Sequence, residues 1–245
     1  MQLVKVDNYE EMSKKACSII MEHIQESRNP VLGLATGSTP EKLYSCLIEK
    51  YKQGKVSFES VTTFNLDEYV GLKKDDANSY HHYMKEKLFD HVDLRSDQIY
   101  LPDGHSEDLE QDCRAYEKQI QRAGGIGLQV LGIGLNGHIG FNEPGTPFSS
   151  RTHVVELSPS TRRANARFFP SIEEVPTQAI SMGIASIMES KKILLLVSGE
   201  QKAEALHRLL NGDVTEDFPA SILQTHPDVT VIADELALEP SLSKS

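Results

Sequence analysis

An imidazole and a carboxylate lie close together in a glycine-rich stretch and form a candidate acid–base pair. His138 and Glu143 stand within residues 130–145, where glycine recurs at positions 134, 137, 140 and 145. That density is typical of a chain that turns sharply or approaches a ligand closely. A tight turn with an incidental histidine is the alternative, but Asn136 and Asn142 add polar groups that no helix cap requires. The stretch therefore predicts proton-transfer chemistry on a loop.

A second candidate is the carboxylate of Asp67, which directly follows an apolar strand predicted over residues 61–66. Adjacent side chains on extended chain point apart, so only one of Asp67 and Glu68 can face a ligand. A partly desolvated carboxylate there would have a raised pKa, suited to taking a proton from carbon. The alternative is that Asp67 caps a turn, which is common for aspartate at strand ends.

Residues 37–39 (Gly-Ser-Thr) have the composition of an anion-binding turn between a buried strand and a helix that Pro40 opens. Free backbone N–H groups and the positive end of a helix favour a phosphate, and the hydroxyls of Ser38 and Thr39 add donors. No Gly-Lys-Ser/Thr sequence follows, so a nucleotide triphosphate is not implied. An ordinary N-cap by Ser38 or Thr39 explains the pattern equally well.

A chain with a net charge of −11 must gather cations locally to bind a phosphate dianion. Lys202 is a candidate because it lies in the first turn of a predicted helix, where a solvent-facing position would favour an acid. Arg167 fits either a site or a surface, whereas Arg162 and Arg163 are best explained as a solvated helix face. The adjacent pair at 81–82 (His-His) points apart on a helix and has no further ligand spacing, which argues against a metal site.

Apolar strands alternate with helices along the whole chain, which predicts an α/β fold with a mainly parallel sheet and helices on both faces. Strands are predicted over residues 3–6, 31–35, 61–66, 99–101, 128–133, 153–157, 192–197 and 229–233. Helices are predicted from residue 7 or 8 to 27, and over 40–53, 78–89, 106–122, 161–169, part of 176–190 and 199–210. Ligands of such sheets bind at the carboxyl ends of the strands, which directs attention to the loops at 36–39, 67–68, 134–145 and 198–199.

Composition restricts the class of protein. The 245 residues, 39% of them hydrophobic, fit one domain over 1–245. No basic block is present, so nucleic acid is not an expected partner, and no apolar run reaches membrane-spanning length. Cys17, Cys46 and Cys113 are far apart and odd in number, which favours free thiols in a reducing cytoplasm.

Six motifs in the same order resemble those of the glucosamine-6-phosphate deaminase family. They are LGLATGSTP (32–40), FNLDEYVGL (64–72), GIGLNGHIGFNEP (132–144), SRT (150–152), ANARFF (164–169) and GEQKA (199–203). The resemblance implies a Rossmann-like fold and a hydrolase of amino-sugar catabolism that converts glucosamine 6-phosphate and water to fructose 6-phosphate and ammonium. It implies neither a metal nor a cofactor, because the chemistry is proton transfer.

The resemblance also assigns roles to residues. His138 would open the sugar ring, with Glu143 holding and polarising the imidazole, and Asp67 would move a proton from carbon 2 to carbon 1. The phosphate would lie on Thr36, Gly37, Ser38 and Thr39, with Arg167 and Lys202 closing over it. Residues 157–177 would form a mobile lid.

Two departures from the family pattern carry expectations of their own. Some relatives have aspartate where this chain has Asn136, so His138 should depend more on Glu143 and have a lower pKa. Longer, allosterically activated relatives carry basic side chains where this chain has His153 and Val155, so a monomer or small oligomer without an amino-sugar effector is expected. The alternatives are a 6-phosphogluconolactonase-like hydrolase and a sugar-phosphate sensor without activity.

Overall fold

A central sheet of seven strands, all paired in parallel, organises the chain in the computed structural model. The structure describes residues 1–239, without the side chains of residues 160, 164 and 168. Across the sheet the strands follow the order β1 (Gln2–Val6), β10 (Val229–Asp234), β9 (Lys192–Val197), β6 (Leu128–Gly132), β2 (Val31–Leu34), β3 (Thr62–Asn65) and β5 (Ile99–Tyr100). The predicted parallel sheet is confirmed, with strand ends that differ by at most one residue.

Helices cover both faces of this sheet, as predicted. One apolar cluster is formed with α1 (Tyr9–Glu26), α2 (Glu41–Lys52) and α3 (Tyr80–Lys87). The cluster on the other face is formed with α4 (Leu109–Arg122), α6 (Ile184–Met188), α7 (Ala203–Asn211) and α8 (Glu235–Leu238). The remaining helix, α5 (Pro159–Asn165), lies in the segment predicted as a lid. Single-turn or short 3₁₀ helices occur at Phe89–His91, Ser96–Gln98, Ala166–Phe168, Ile172–Glu174, Glu200–Lys202 and Pro219–Thr225.

The direction of chain winding reverses between β2 and β6, which are neighbours in the sheet. From β2 the chain continues outward through β3 and β5, and from β6 it continues the other way through β9 and β10. The loops that leave β2 and β6 therefore separate to opposite faces and leave a crevice at the carboxyl edge. Residues 36–39 and 133–145 follow these two strands and border that crevice.

A second, antiparallel sheet has the order β4 (Asp67–Tyr69), β8 (Gln178–Ser181) and β7 (His153–Glu156). Only β7 is predicted from the sequence, by its alternating pattern. Residues 176–190 are predicted to contain a helix and do so, but β8 precedes it. Only Leu66 separates β3 from β4, so one continuous extended stretch serves two different sheets. No periodicity marks that change of direction, which depends on tertiary pairing.

Smaller corrections concern helix ends and surfaces. Asp108, not Ser106, caps α4, because its carboxylate accepts the N–H of Gln111 at 2.9 Å. The three cysteines are free and lie on α1, α2 and α4, as predicted. Within residues 1–239, every helix falls short of the length and apolarity that crossing a membrane requires.

Candidate active site

The turn after β2 leaves its backbone N–H groups available to a ligand. Gly37 adopts φ +89°, a conformation that favours glycine, and Pro40 occupies the N-cap position of α2 without a side-chain cap bond. The alternative that Ser38 or Thr39 caps this helix is therefore wrong. Among the described residues, none accepts a hydrogen bond from the N–H groups of residues 36–39. The turn has the unsatisfied donors that an anion-binding site needs.

Tyrosine hydroxyls hold the same turn from outside. The bonds are Tyr44 to the carbonyl of Ala35, Tyr83 to that of Gly37 at 2.6 Å and Tyr9 to that of Ser38 at 2.8 Å. Burial raises the pKa of all three hydroxyls, so they remain protonated donors near neutral pH. Because the carbonyls are occupied on one side, the N–H groups are directed to the other. These tyrosines were not predicted, since they come from three separate helical regions.

Lys202 lies at the carboxyl end of β6, next to the glycine-rich loop of residues 133–145, which is the candidate catalytic loop. Its ammonium donates to the carbonyl of Ile133 at 2.7 Å, and burial lowers its pKa. Asp234, at the end of β10, accepts from the N–H of Gly199 at 3.0 Å and from the hydroxyl of Ser198. This buried carboxylate fixes the turn before Lys202. The role was not predicted, although Asp234 directly follows the strand predicted over residues 229–233.

Glu68 and Asp67 point to different environments, as extended chain requires. Glu68 is buried and accepts the N–H groups of Tyr69 at 2.8 Å and of Tyr80 and His81 at 3.0 Å each. It therefore anchors the first turn of α3. Asp67 is left as the carboxylate that can face a ligand.

His81 and His82 do not form a shared site. The Nδ1 atom of His81 lies 2.8 Å from Glu68, whereas the nearest acid to His82 is Glu86, at 4.0 Å on the same helix. Their divergence is as predicted. No group of three or more His, Cys, Asp or Glu side chains within the described chain has a geometry suited to holding a metal ion.

Asp67 is almost buried, with 7% of its surface exposed, and its carboxylate has no hydrogen-bond or ion-pair partner among the described residues. Burial, and secondarily the charge of Glu68, raises the pKa of Asp67 to about 8. A carboxylate without donors is a strong base once it is deprotonated, because nothing stabilises its charge. The raised pKa of Asp67 agrees with the prediction. The alternative, in which Asp67 caps a turn, would require a hydrogen bond to its carboxylate, and none is made among the described residues.

His138, Asn136 and Glu143 form a hydrogen-bonded relay. Nδ1 of His138 lies 2.7 Å from Oδ1 of Asn136, and Nδ2 of Asn136 donates to Oε2 of Glu143 at 2.6 Å. The other oxygen of Glu143, Oε1, is 3.8 Å from Nδ1 of His138. The expected direct support of His138 by Glu143 is thus corrected, because the amide lies between them.

The relay fixes the tautomer of His138. A carboxylate can only accept, so Asn136 must turn its NH₂ group to Glu143 and its carbonyl oxygen to the imidazole. That oxygen also only accepts, so Nδ1 of His138 carries the proton and Nε2 of the neutral ring is free to take one. Burial lowers the pKa of His138; the charge of Glu143 opposes this and that of Lys202 adds to it. This lowering is relative to a free imidazole and is caused mainly by burial. A lower pKa than in relatives with aspartate at position 136 stays a prediction.

Asp67 approaches the glycine-rich loop at Gly140, two positions after His138. A Cβ atom at Gly140 would lie 3.8 Å from Oδ2 of Asp67 and 3.0 Å from Oγ of Ser181. Ser181 pairs with Asp67 across β8 and β4, and its hydroxyl accepts the N–H of Phe141 at 3.0 Å. The short antiparallel sheet therefore brings the carboxylate of Asp67 to the glycine-rich loop of residues 133–145. Ser181 was not predicted.

Close packing explains another glycine of this loop. A Cβ atom at Gly137 would lie 2.2 Å from the ring of Phe218, so any side chain there would displace the aromatic. The N–H of Gly145 donates to the carbonyl of Glu216 at 2.8 Å. Asn142 holds the loop from within, because its Nδ2 donates to carbonyls of the chain. Asn142 thus has a structural role, and residues 216–218 brace the loop from outside.

Arg167 and its neighbours lie on the segment 157–177. Arg167 is on an exposed 3₁₀ turn. Arg162 is half-buried and donates to the carbonyls of Ile172 and Val175 at 2.9 Å each, so the prediction of a solvated position for Arg162 is wrong. Arg163 is exposed, as predicted.

Comparison with known proteins identifies the family. The family model for glucosamine-6-phosphate isomerases/6-phosphogluconolactonase matches residues 5–232. This chain belongs to that family. It is 61% identical to glucosamine-6-phosphate deaminase of Shouchella clausii strain KSM-K16 over 237 residues, which are 97% of this chain and 96% of the relative. It is 52% identical to glucosamine-6-phosphate deaminase 1 of Bacillus subtilis strain 168, over 97% of this chain and 98% of that one.

Solved structures agree with this assignment. A monomeric glucosamine-6-phosphate deaminase superposes with a TM-score of 0.96 at 52% identity, covering 98% of this chain and 100% of that one. The 6-phosphogluconolactonase from Trypanosoma brucei has a TM-score of 0.75 at 19% identity, covering 96% of this chain and 97% of that one. The second likeness shows a shared fold and confirms the Rossmann-like architecture.

Proposed function

We propose that this chain is a glucosamine-6-phosphate deaminase that converts glucosamine 6-phosphate and water to fructose 6-phosphate and ammonium. The observation that carries this proposal is the buried, unpartnered carboxylate of Asp67 beside the His138 relay. A lactonase has no need for a base that takes a proton from carbon, and a sensor has no need for either group. The high identity to proteins named as this deaminase supports the same choice.

The phosphate of the sugar would occupy the turn at residues 36–39. Its N–H groups and the hydroxyls of Thr36, Ser38 and Thr39 provide donors, and Lys202 supplies a positive charge next to the catalytic loop. Arg167 would add a second cation from the segment 157–177. Anchoring at this end would direct carbon 1 and carbon 2 of the sugar toward Asp67 and His138.

Ring opening would use His138. Nε2 of the neutral imidazole takes the proton of the anomeric hydroxyl, and the resulting imidazolium returns a proton to the ring oxygen as its bond to carbon 1 breaks. Asn136 accepts the Nδ1–H throughout, and Glu143 stabilises the transient positive charge through that amide. The products of this step are the open-chain aldehyde and the neutral imidazole.

Isomerisation would use Asp67. Its carboxylate takes the proton from carbon 2 while the substrate's own ammonium group gives a proton to the carbonyl oxygen, which yields an enolamine. Asp67 then returns its proton to carbon 1, which leaves a protonated imine at carbon 2. Water adds to the imine, and the carbon–nitrogen bond breaks to release ammonia, which leaves as ammonium. The steps transfer protons, add water and release ammonia, so the reaction needs no external oxidant or reductant. "Hydrolase" describes only the last step, and isomerisation precedes it.

The proposed setting is amino-sugar catabolism in the cytoplasm. We also propose that the chain acts as a monomer, as the structural relative of 52% identity is described to do. Light scattering on the purified chain tests this, and a stable dimer or larger assembly would contradict it.

The deciding experiment measures ammonium and fructose 6-phosphate formed from glucosamine 6-phosphate, with and without N-acetylglucosamine 6-phosphate, and lactone hydrolysis in parallel. We expect equal amounts of the two products, no effector requirement and no lactonase activity. Lactone hydrolysis without ammonium release would overturn the proposal in favour of the lactonase. Binding of the sugar phosphate without either reaction would indicate the sensor.

A further inference from the structure

We propose that Thr161 is a positioning residue that couples the placement of the segment 157–177 to the proton affinity of His138, acting through Glu143. This role depends on the proposed deaminase activity, because it concerns the ring-opening step. It assigns to α5 a function in catalysis that is separate from the delivery of Arg167.

The hydroxyl of Thr161 ends the hydrogen-bonded relay. It donates to Oε1 of Glu143, whose other oxygen already accepts from Asn136. Thr161 is buried, with 8% of its surface exposed, and its own hydroxyl accepts from that of Ser158 at 3.0 Å. A continuous series of hydrogen bonds thus runs from the N-terminus of α5 to the imidazole of His138.

Among the described residues of the segment, Arg162, Asn165 and Phe169 make contacts that lie away from the relay. Asn165 and Phe169 contact Tyr69, the latter with ring centroids 5.7 Å apart, and Arg162 ties the segment to itself. Movement of α5 away from the body would therefore break the bond between Thr161 and Glu143. The aromatic contacts with Tyr69 hold the segment but transmit no charge.

Loss of that bond changes the electrostatics at His138. The charged groups that face the imidazole are Glu143 on the same loop and Lys202 on the turn before α7. Oε1 of Glu143 lies 3.8 Å from Nδ1 of His138 and is held by Thr161. Without the hydroxyl, the negative charge on this oxygen is no longer partly compensated by a donor, and the oxygen is free to approach Nδ1, which favours the imidazolium. Neutral His138, the form that starts ring opening, is therefore favoured when α5 is docked.

The test uses two substitutions of Thr161. The pKa of the His138 imidazole is measured in each by NMR titration of the full chain without substrate. Thr161→Val keeps the shape and removes the hydroxyl, whereas Thr161→Ser keeps the hydroxyl. We expect Thr161→Val to raise the pKa of His138 by about half a unit or more and Thr161→Ser to leave it unchanged. Arg163→Gln, an exposed change on the same helix, serves as the control and should not shift it.

The pH dependence of kcat/KM is the second measurement. We expect Thr161→Val to lower kcat/KM for glucosamine 6-phosphate about tenfold and to move its acidic limb upward, with Thr161→Ser within about twofold of the parent. Identical titrations of His138 in the valine, serine and parent chains would overturn the coupling while leaving the deaminase activity intact. Absence of ammonium release from the parent chain would instead overturn the proposed function, whatever the titration gives.

Discussion

The two carboxylates at the candidate site, Asp67 and Glu143, have opposite surroundings. Both oxygens of Glu143 accept hydrogen bonds, from Thr161 and from Asn136. Asp67 is more deeply buried and, among the described residues, has no donor, so its pKa rises to about 8. Hydrogen bonds orient the carboxylate of Glu143, whereas desolvation destabilises the ionised form of Asp67.

This difference separates an orienting group from a reacting group. A fully bonded carboxylate holds its neighbours in place and remains charged, which suits the support of a histidine. A carboxylate without partners gains free energy when it takes a proton, which suits abstraction from carbon. Two acids on one site can thus have different roles because one is held by hydrogen-bond donors and the other is desolvated without them.

The largest expected effect comes from removal of the reacting acid. Asp67→Asn keeps the shape of the side chain but has no basic form, so kcat/KM for ammonium release should fall about a thousandfold or more. Binding of fructose 6-phosphate, measured by calorimetry, should change little because the phosphate turn is intact. Unaltered turnover in this variant would falsify the proton-transfer role, and Asp90→Asn on the surface is the control.

A smaller effect is expected when the ring-opening base is removed. His138→Gln should slow reaction of the cyclic sugar about a hundredfold, because the uncatalysed ring still opens in water. The small open-chain fraction should react at nearly the parent rate, which rapid mixing detects as an initial burst. Equal slowing of both fractions would show that His138 does not act in ring opening.

Replacement of the amide between His138 and Glu143 tests the orienting side. Asn136→Asp adds a second negative charge beside the imidazole and should raise the pKa of His138 by about one unit in an NMR titration. Asn136→Ala removes the acceptor of the Nδ1–H without adding a charge. It should therefore not raise the pKa of His138 in the way that an added negative charge does. A lowered pKa in the aspartate variant would contradict the relay geometry.

The smallest expected effect concerns stability. The pKa of Asp67 is about 8 in the folded chain but about 4 in an unfolded one, so the folded state binds this proton more tightly. Its contribution to stability is therefore intact below about pH 4 and is lost as the pH rises through about 8. Asp67→Asn should raise Tm by about 2 °C or more at pH 8.5 and by much less at pH 5. Equal shifts at both pH values would indicate that ionisation is not the cause.

Sequence patterns predicted the strands of the parallel sheet because apolar runs buried on both faces are easy to distinguish. They did not reveal β4 or β8, because β4 is short and its pairing with β8 joins residues more than a hundred positions apart. For the same reason Ser181, which brings Asp67 to the loop, was not predicted. The burial of Arg162 also escaped prediction, because its partners are backbone carbonyls.

By itself the sequence determined the chemistry available to this protein: an imidazole and an amide on a glycine-rich loop, a carboxylate after a strand and a Gly-Ser-Thr turn. Local spacing carries that information, because turn and strand preferences act over a few residues. Only the tertiary structure decided which acid is solvated by hydrogen bonds and which is not. Desolvation and donors come from elements distant in the chain, and these set the pKa values of Asp67 and His138.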